Sequence, residues 1–295
     1  MNKFLILKLI IKKCLKKKFP NFYKILQIFY INILKRKKSI IKFEGWGLTT
    51  ETSPPWTIRF SKNKTYQIFE TVKKKLDEKI INKNFRLTQL ENYYENLTFQ
   101  DIFDHYEGLR FRNYIVCYSA IIAFENTKSR NLVECGVADG MTSFFSISVF
   151  KEDKNYKAYL YDAWDYMRAK ELVTESDKKR IDNYRYLDVE ITKMNLNEFN
   201  NNIIYNKGYI PEIFLDNINP QNLSWLHIDL NSSMPTLETL NFFYPKLENN
   251  GVILLDDYAF DSYEDTAAVV EDFFKDKNVH FLHLMTGQAL IIKKS

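Results

Sequence analysis

From residue 131 onward, short apolar runs alternate with longer segments in which apolar residues recur at helical spacing. Leu132 and Val133 lead into Glu134; Gly136 and Gly140 follow, and then an apolar segment over 141–150. That order predicts strand, tight turn and helix. Further strands are expected over 157–162 (KAYLYD), 202–206, 223–229 (LSWLHID) and 251–257 (GVILLDD). The unbroken apolar run of the last suits a central parallel strand buried on both faces. Helices are expected over 236–247, closed by Asn249-Asn250-Gly251, and over 267–274. The tail, FLHLMTGQALIIKKS, predicts a hairpin turning at Thr286-Gly287. The fold class is therefore α/β: a Rossmann-like, doubly wound, mostly parallel sheet with a C-terminal antiparallel hairpin and an N-terminal helical extension.

Ahead of the sheet, 65–81 carries Ile68, Val72, Leu76 and Ile80 at helical spacing. A second helix is expected over 108–126, with Arg110 and Arg112 near its start and an apolar body behind them. GWGLTTETSPPW, from Gly45, is punctuated by glycines and a Pro-Pro pair, as in a linker or structured turn. Three regions follow: a basic and apolar arm over 1–43, a helical cap or lid over 44–107, and the sheet domain over 108–295.

Charge adds something to the arm. The 295 residues carry +5 formally, but residues 1–43 hold twelve lysines and Arg36 with no Asp or Glu, which leaves the remainder at −8. An acidic body argues against nucleic acid as a partner. The arm has no run of the ~20 apolar residues that a membrane span needs. Lys8, Lys12 and Lys16 recur at helical spacing among apolar residues, as in a helix lying on an anionic surface, and no secretory cleavage site follows. The arm reads equally well as an unstructured segment. Cys14, Cys117 and Cys135 are scattered, and His105, His227, His280 and His283 lack metal-ligand spacing. A cytoplasmic protein, with membrane contact through the arm, is the expected setting. The sequence leaves open whether it forms a homo-oligomer.

The chemistry gathers at the strand ends. The turn after the first strand is not G-x-G-x-x-G, and Glu134 stands two residues ahead of its first glycine. A carboxylate there suits the ammonium and hydroxyl groups of an amino-acid ligand better than a pyrophosphate. Asp162 ends the second strand, where an acid can bond ribose hydroxyls or cap the next helix. Asp229 ends the fourth, and Asp256 and Asp257 the fifth. Parallel strands bring these three carboxylates to one edge, where unbalanced they would repel one another. A divalent cation with oxygen ligands, most simply Mg²⁺, would resolve the repulsion.

The segments LRFRNYIVCYSA, NLVECGVADGMTS, YLYDAWD, NKGYIPE, LHIDLNSSMPTLETLNFFYPKLENNGVILLDDY and AAVVEDFF resemble the macrocin O-methyltransferase (TylF-like) family of class I S-adenosylmethionine (SAM)-dependent enzymes. The resemblance implies a Mg²⁺-dependent O-methyltransferase acting on a hydroxyl of a sugar, glycosylated metabolite or glycan. It implies that Glu134, Gly136 and Gly140 hold the methionine part of SAM and Asp162 the ribose. Thr142, Ser143 and Gly208 lie in the same matching segments and complete the expected cofactor set. It further implies that Asp229, Asp256 and Asp257 bind the metal. One position departs: where the family has D-x-D after the fourth strand, this chain has Asp229-Leu230-Asn231, and an amide cannot accept a proton. Asp229 remains the carboxylate candidate for base. His227 lies on the same strand face one layer deeper, where a core histidine is expected. Two alternatives stay open, a non-catalytic SAM-binding or scaffold protein and a nicotinamide oxidoreductase.

Overall fold

The structure, a computed structural model, describes residues 64–93, 98–168, 184–216, 218–259 and 263–295. The basic arm and GWGLTTETSPPW lie outside the described residues. The helices are α1 (Lys64–Ile81), α2 (Thr88–Tyr93), α3 (Phe99–Gly108), α4 (Arg110–Asn126), α5 (Met141–Phe150), α6 (Val189–Asn195), α7 (Ile213–Asp216), α8 (Ser233–Phe243) and α9 (Glu264–Phe274). The strands are β1 (Asn131–Cys135), β2 (Lys157–Asp162), β3 (Ile203–Lys207), β4 (Leu223–Ile228), β5 (Leu247–Leu255), β6 (Val279–His283) and β7 (Ala289–Lys293).

The strands form one sheet in the order β3-β2-β1-β4-β5-β7-β6. β1 to β5 are parallel, and β7 runs antiparallel to both β5 and β6. The expected hairpin is present, with Gly287 at a φ of 82°. Because side chains alternate along a strand, β4 sends Trp225 and His227 to one face and Leu226 and Ile228 to the other. Trp225 packs in an apolar cluster that runs from Phe69 on α1 through α4 and α5 to Leu290 on β7. Leu226 and Ile228 pack with Leu240 and Phe243 on α8 and with Val270 and Phe274 on α9.

Of the stripe its spacing foretells, α1 buries Val72, Leu76 and Ile80 and leaves Ile68 partly buried, with Phe69 taking a core place beside them. Phe69 stacks on Phe145 of α5 at 5.7 Å, so α1, ahead of residue 108, shares the sheet's core. The helix expected over 108–126 begins at Arg110, because α3 ends at Gly108 and Leu109 caps both helices. Arg112 thereby stands in the first turn of α4.

The helix expected to run to Leu247 stops at Phe243 instead. Pro245, which has no N–H, sits in a 3₁₀ turn over Tyr244–Lys246. Asn249-Asn250-Gly251 is then not a helix stop but part of a bulge in β5: Leu247 pairs with Leu223, and the register resumes at Val252 opposite Trp225. Glu248, in that bulge, accepts hydrogen bonds from the backbone N–H groups of Lys128 and Ser129 ahead of β1, at 2.9 and 3.0 Å.

Candidate active site

A cavity of about 290 Å³ opens at the C-terminal edge of the parallel strands. Its wall includes Glu134, Gly136, Thr142, Asp162, Gly208, Asp229, Asp256 and Asp257. Residues from five separate segments therefore meet where open α/β sheets bind ligands.

The turn after β1 is held from two sides. The Asp162 carboxylate accepts the N–H groups of Val137 and Ala138 on one oxygen, at 2.6 and 2.9 Å, and that of Trp164 on the other, at 2.6 Å. Gly136 N–H donates to the Tyr161 carbonyl at 2.8 Å. Burial pushes the Asp162 carboxyl above its ordinary value, and the three backbone donors pull the other way. This aspartate is thus a clamp on the glycine turn as well as a group on the cavity wall. Gly140, at a φ of 86°, caps α5 without any side-chain cap bond, so the N–H groups of the first turn of α5 lack a side-chain acceptor.

Two of the expected cofactor contacts lie behind the wall. Gly140 shapes the turn from the rear, where an added Cβ would come 3.0 Å from Leu196 Cδ1. Ser143 is fully buried and donates its hydroxyl to Glu134 Oε2 at 2.6 Å. It holds Glu134 rather than facing the cavity with its own side chain. Glu134 is 1% exposed and its other oxygen, Oε1, is buried without a hydrogen-bond partner among the described residues. Burial raises its carboxyl above the ordinary value, against the pull of nearby His227 and Ser143.

His227 lies directly across from Glu134 in the β1–β4 register and is fully buried, as its layer foretells. Its ring stacks on Trp225 at 5.7 Å, with Nδ1 3.5 Å from Glu134 Oε1 and Nε2 3.9 Å from Asp256 Oδ2. One ligand atom each from His227, Asp229 and Asp256 lies within 4.8 Å of the others, a set with metal-binding geometry that the histidine spacing in sequence does not reveal. Asp257 is on the cavity wall but outside that set.

The acidic edge is not unbalanced, which corrects the expectation drawn from the sequence. Arg112 Nε donates to Asp256 Oδ1 at 2.8 Å, a terminal Arg112 nitrogen contacts Asp256 Oδ2, and the same nitrogen lies 3.6 Å from Asp229 Oδ2. Gln288, fully buried ahead of β7, donates a second bond to Asp256 Oδ1 at 2.6 Å. Asn231, at a φ of 53°, donates to Asp229 Oδ1 at 3.4 Å and accepts the Tyr263 hydroxyl. Arg112, Gln288 and Tyr263 were invisible as site residues in the sequence. The only signal was the pair of arginines opening an apolar helix, and the two diverge: Arg110 pairs with Glu70 on α1.

Residues 133–258 match the family model described as a methyltransferase domain. The chain is similar in structure to the O-methyltransferase NovP, at 16% identity and a TM-score of 0.53, over 62% of this chain and 80% of that one. Similarity extends to CalS11, a calicheamicin methyltransferase (12% identity, TM-score 0.48, 85% of this chain and 98% of that one). It extends also to the S-adenosylhomocysteine-bound methyltransferase PaMTH1 of Podospora anserina (11% identity, TM-score 0.48, 88% and 99%). No curated protein matches the chain. With the sheet order above, the likeness to NovP shows a Rossmann-like fold, and the segment over 133–258 is similar to a methyltransferase domain.

Proposed function

We propose that the protein transfers the methyl group of SAM to a hydroxyl oxygen of a sugar or glycosylated small molecule. The observation that carries this reading is one cavity wall on which a buried, half-partnered Glu134, the uncapped start of α5, Asp162 and Asp229 stand together. These groups fit SAM: the first-turn N–H groups of α5 suit its carboxylate, Glu134 its ammonium, and Asp162 a ribose hydroxyl.

When bound, SAM supplies an electrophilic methyl on a sulfonium. The chain supplies the rest. Asp229, about a quarter exposed at its side chain, accepts the proton of the acceptor hydroxyl as that oxygen attacks the methyl carbon and the carbon–sulfur bond breaks. The fixed wall holds the oxygen in line, where orientation supplies much of the rate. The acceptor class follows the sequence resemblance. Tyr166, Tyr184 and Tyr209 on the wall, beside Asn231 and Asp257, offer the mixture of ring faces and hydrogen-bonding groups that a sugar needs.

The Mg²⁺ that the resemblance implies is a poorer fit to the residues present. Asp256 has one oxygen committed to Arg112 and Gln288 and the other to Arg112, and the third member of the compact donor set is His227 rather than Asp257. Magnesium favours a near-octahedral oxygen shell.

Calorimetry with SAM, S-adenosylhomocysteine and a nicotinamide dinucleotide tests the cofactor. Mass spectrometry after incubation with SAM and a panel of nucleotide sugars and glycosides tests the acceptor. Binding of SAM with methyl-ether formation is expected. Binding of the nicotinamide instead would replace this reading with an oxidoreductase. SAM binding without transfer to any acceptor would replace it with a scaffold.

A further inference from the structure

Arg112 reaches the acidic edge from outside the sheet. It enters from the first turn of α4, whose position is set by Leu109 capping two helices and by Trp225 donating to Ser119 Oγ at 2.9 Å in the α4 core. Its guanidinium is a planar fork whose donors match a carboxylate in pairs, and here it takes both oxygens of Asp256. The 3.6 Å approach to Asp229 sets the same positive charge between the two carboxylates that a metal would join. Asp256 is 2% exposed, so its charge needs a partner whatever else the site binds. A divalent ion added beside the guanidinium would meet like charge at contact distance. Guanidinium and metal therefore exclude each other.

We propose that Arg112 is the resident cation of this site and takes the place of a divalent metal ion. The neighbouring substitution agrees with this. Asn231 stands where a further carboxylate would raise the negative charge, and it donates a hydrogen bond to Asp229 instead. Two aspartates against one guanidinium leave a net charge of −1, spread over the neutral donors Gln288 and Asn231. Arg112 also lines the cavity, with its side chain 27% exposed. It is thus placed to hold the acceptor oxygen beside Asp229, a role that rests on the proposed methyl transfer.

The test uses the full chain and Mn²⁺ as probe, followed by electron paramagnetic resonance, with SAM affinity measured on the same samples. The wild type should take up no Mn²⁺ at millimolar concentration. Arg112→Gln, which removes the charge, should bind one equivalent through His227, Asp229 and Asp256. Uptake by both proteins, or by neither, overturns the proposal. Should Arg112→Gln fail to fold, thermal melting of the wild type with and without Mg²⁺ decides: an unchanged melting temperature supports a resident guanidinium, and a rise overturns it. Loss of SAM binding in the wild type would instead strike the proposed function, and the metal result would stand by itself.

Discussion

The Cα of Gly136 lies against the backbone carbonyl of Asp229: a Cβ built on this glycine would fall 1.8 Å from that oxygen. The glycine is required by the approach of β1 to β4, and its φ of 87° adds a second reason. Gly136→Ala should cost about 3 kcal/mol or more, since backbone and not a side-chain tip must move. Chemical denaturation measures this. A variant as stable as the wild type would contradict the approach.

Glu134→Gln should separate stability from binding. A carboxyl whose folded pKa is raised holds its proton more tightly in the folded chain. Its contribution is complete below the unfolded value and is lost as pH rises through the folded one. The glutamine variant has no such loss, so its melting temperature should gain on the wild type as pH climbs from the ordinary carboxylate range to neutrality. SAM affinity should fall about tenfold or more, the scale of one hydrogen bond to a charged group. A glutamine variant that binds SAM as tightly as the wild type would remove Glu134 from the cofactor site.

Asp162→Ala removes the acceptor of three backbone N–H groups along with a ribose partner. Both the melting temperature and SAM affinity should drop, the latter by about 1–3 kcal/mol. Calorimetry well below the variant's melting point separates the two. Unchanged affinity there would leave Asp162 as a clamp alone.

Much of the fold was legible because the parallel strands are short apolar runs with acids at their ends. Their order in the chain places Glu134, Asp162, Asp229 and Asp256 on one edge before any coordinate is known. The β5 bulge was not legible, because Asn249-Asn250-Gly251 is also a good helix stop, and only the pairing of Leu247 with Leu223 decides between the two. Arg112 was not legible for a different reason. It lies 144 residues from Asp256, and no local pattern distinguishes it from Arg110, which faces α1.

The arm carries a prediction of its own, although it lies outside the described residues. Its charge of +13 over residues 1–43 should draw the full chain to anionic vesicles, and salt should weaken the association. No helix among the described residues is long and apolar enough to cross a membrane. Co-sedimentation that is equal with and without residues 1–43 would refute it.

Asn231 separates two ways of activating the acceptor. Its amide donates to Asp229 Oδ1, and its own oxygen accepts the Tyr263 hydroxyl, so it positions Asp229 without being able to take a proton. If Asp229 is the base, Asn231→Asp loses the donor and sets a second carboxylate beside the first. The rate of S-adenosylhomocysteine release should then change by less than about tenfold, while Asp229→Asn should lower it by roughly 10²–10⁴-fold, the scale of general-base catalysis. If a base had been lost with the family's second carboxylate, the order would reverse. The native chain would be nearly inert, and Asn231→Asp would restore transfer by that same factor. The left-handed φ of 53° tolerates either residue, since Asn and Asp both enter that region readily. A change of rate in Asn231→Asp therefore reports chemistry and not a misfolded turn. We expect the first outcome, because Asp229 keeps an exposed face on the cavity wall.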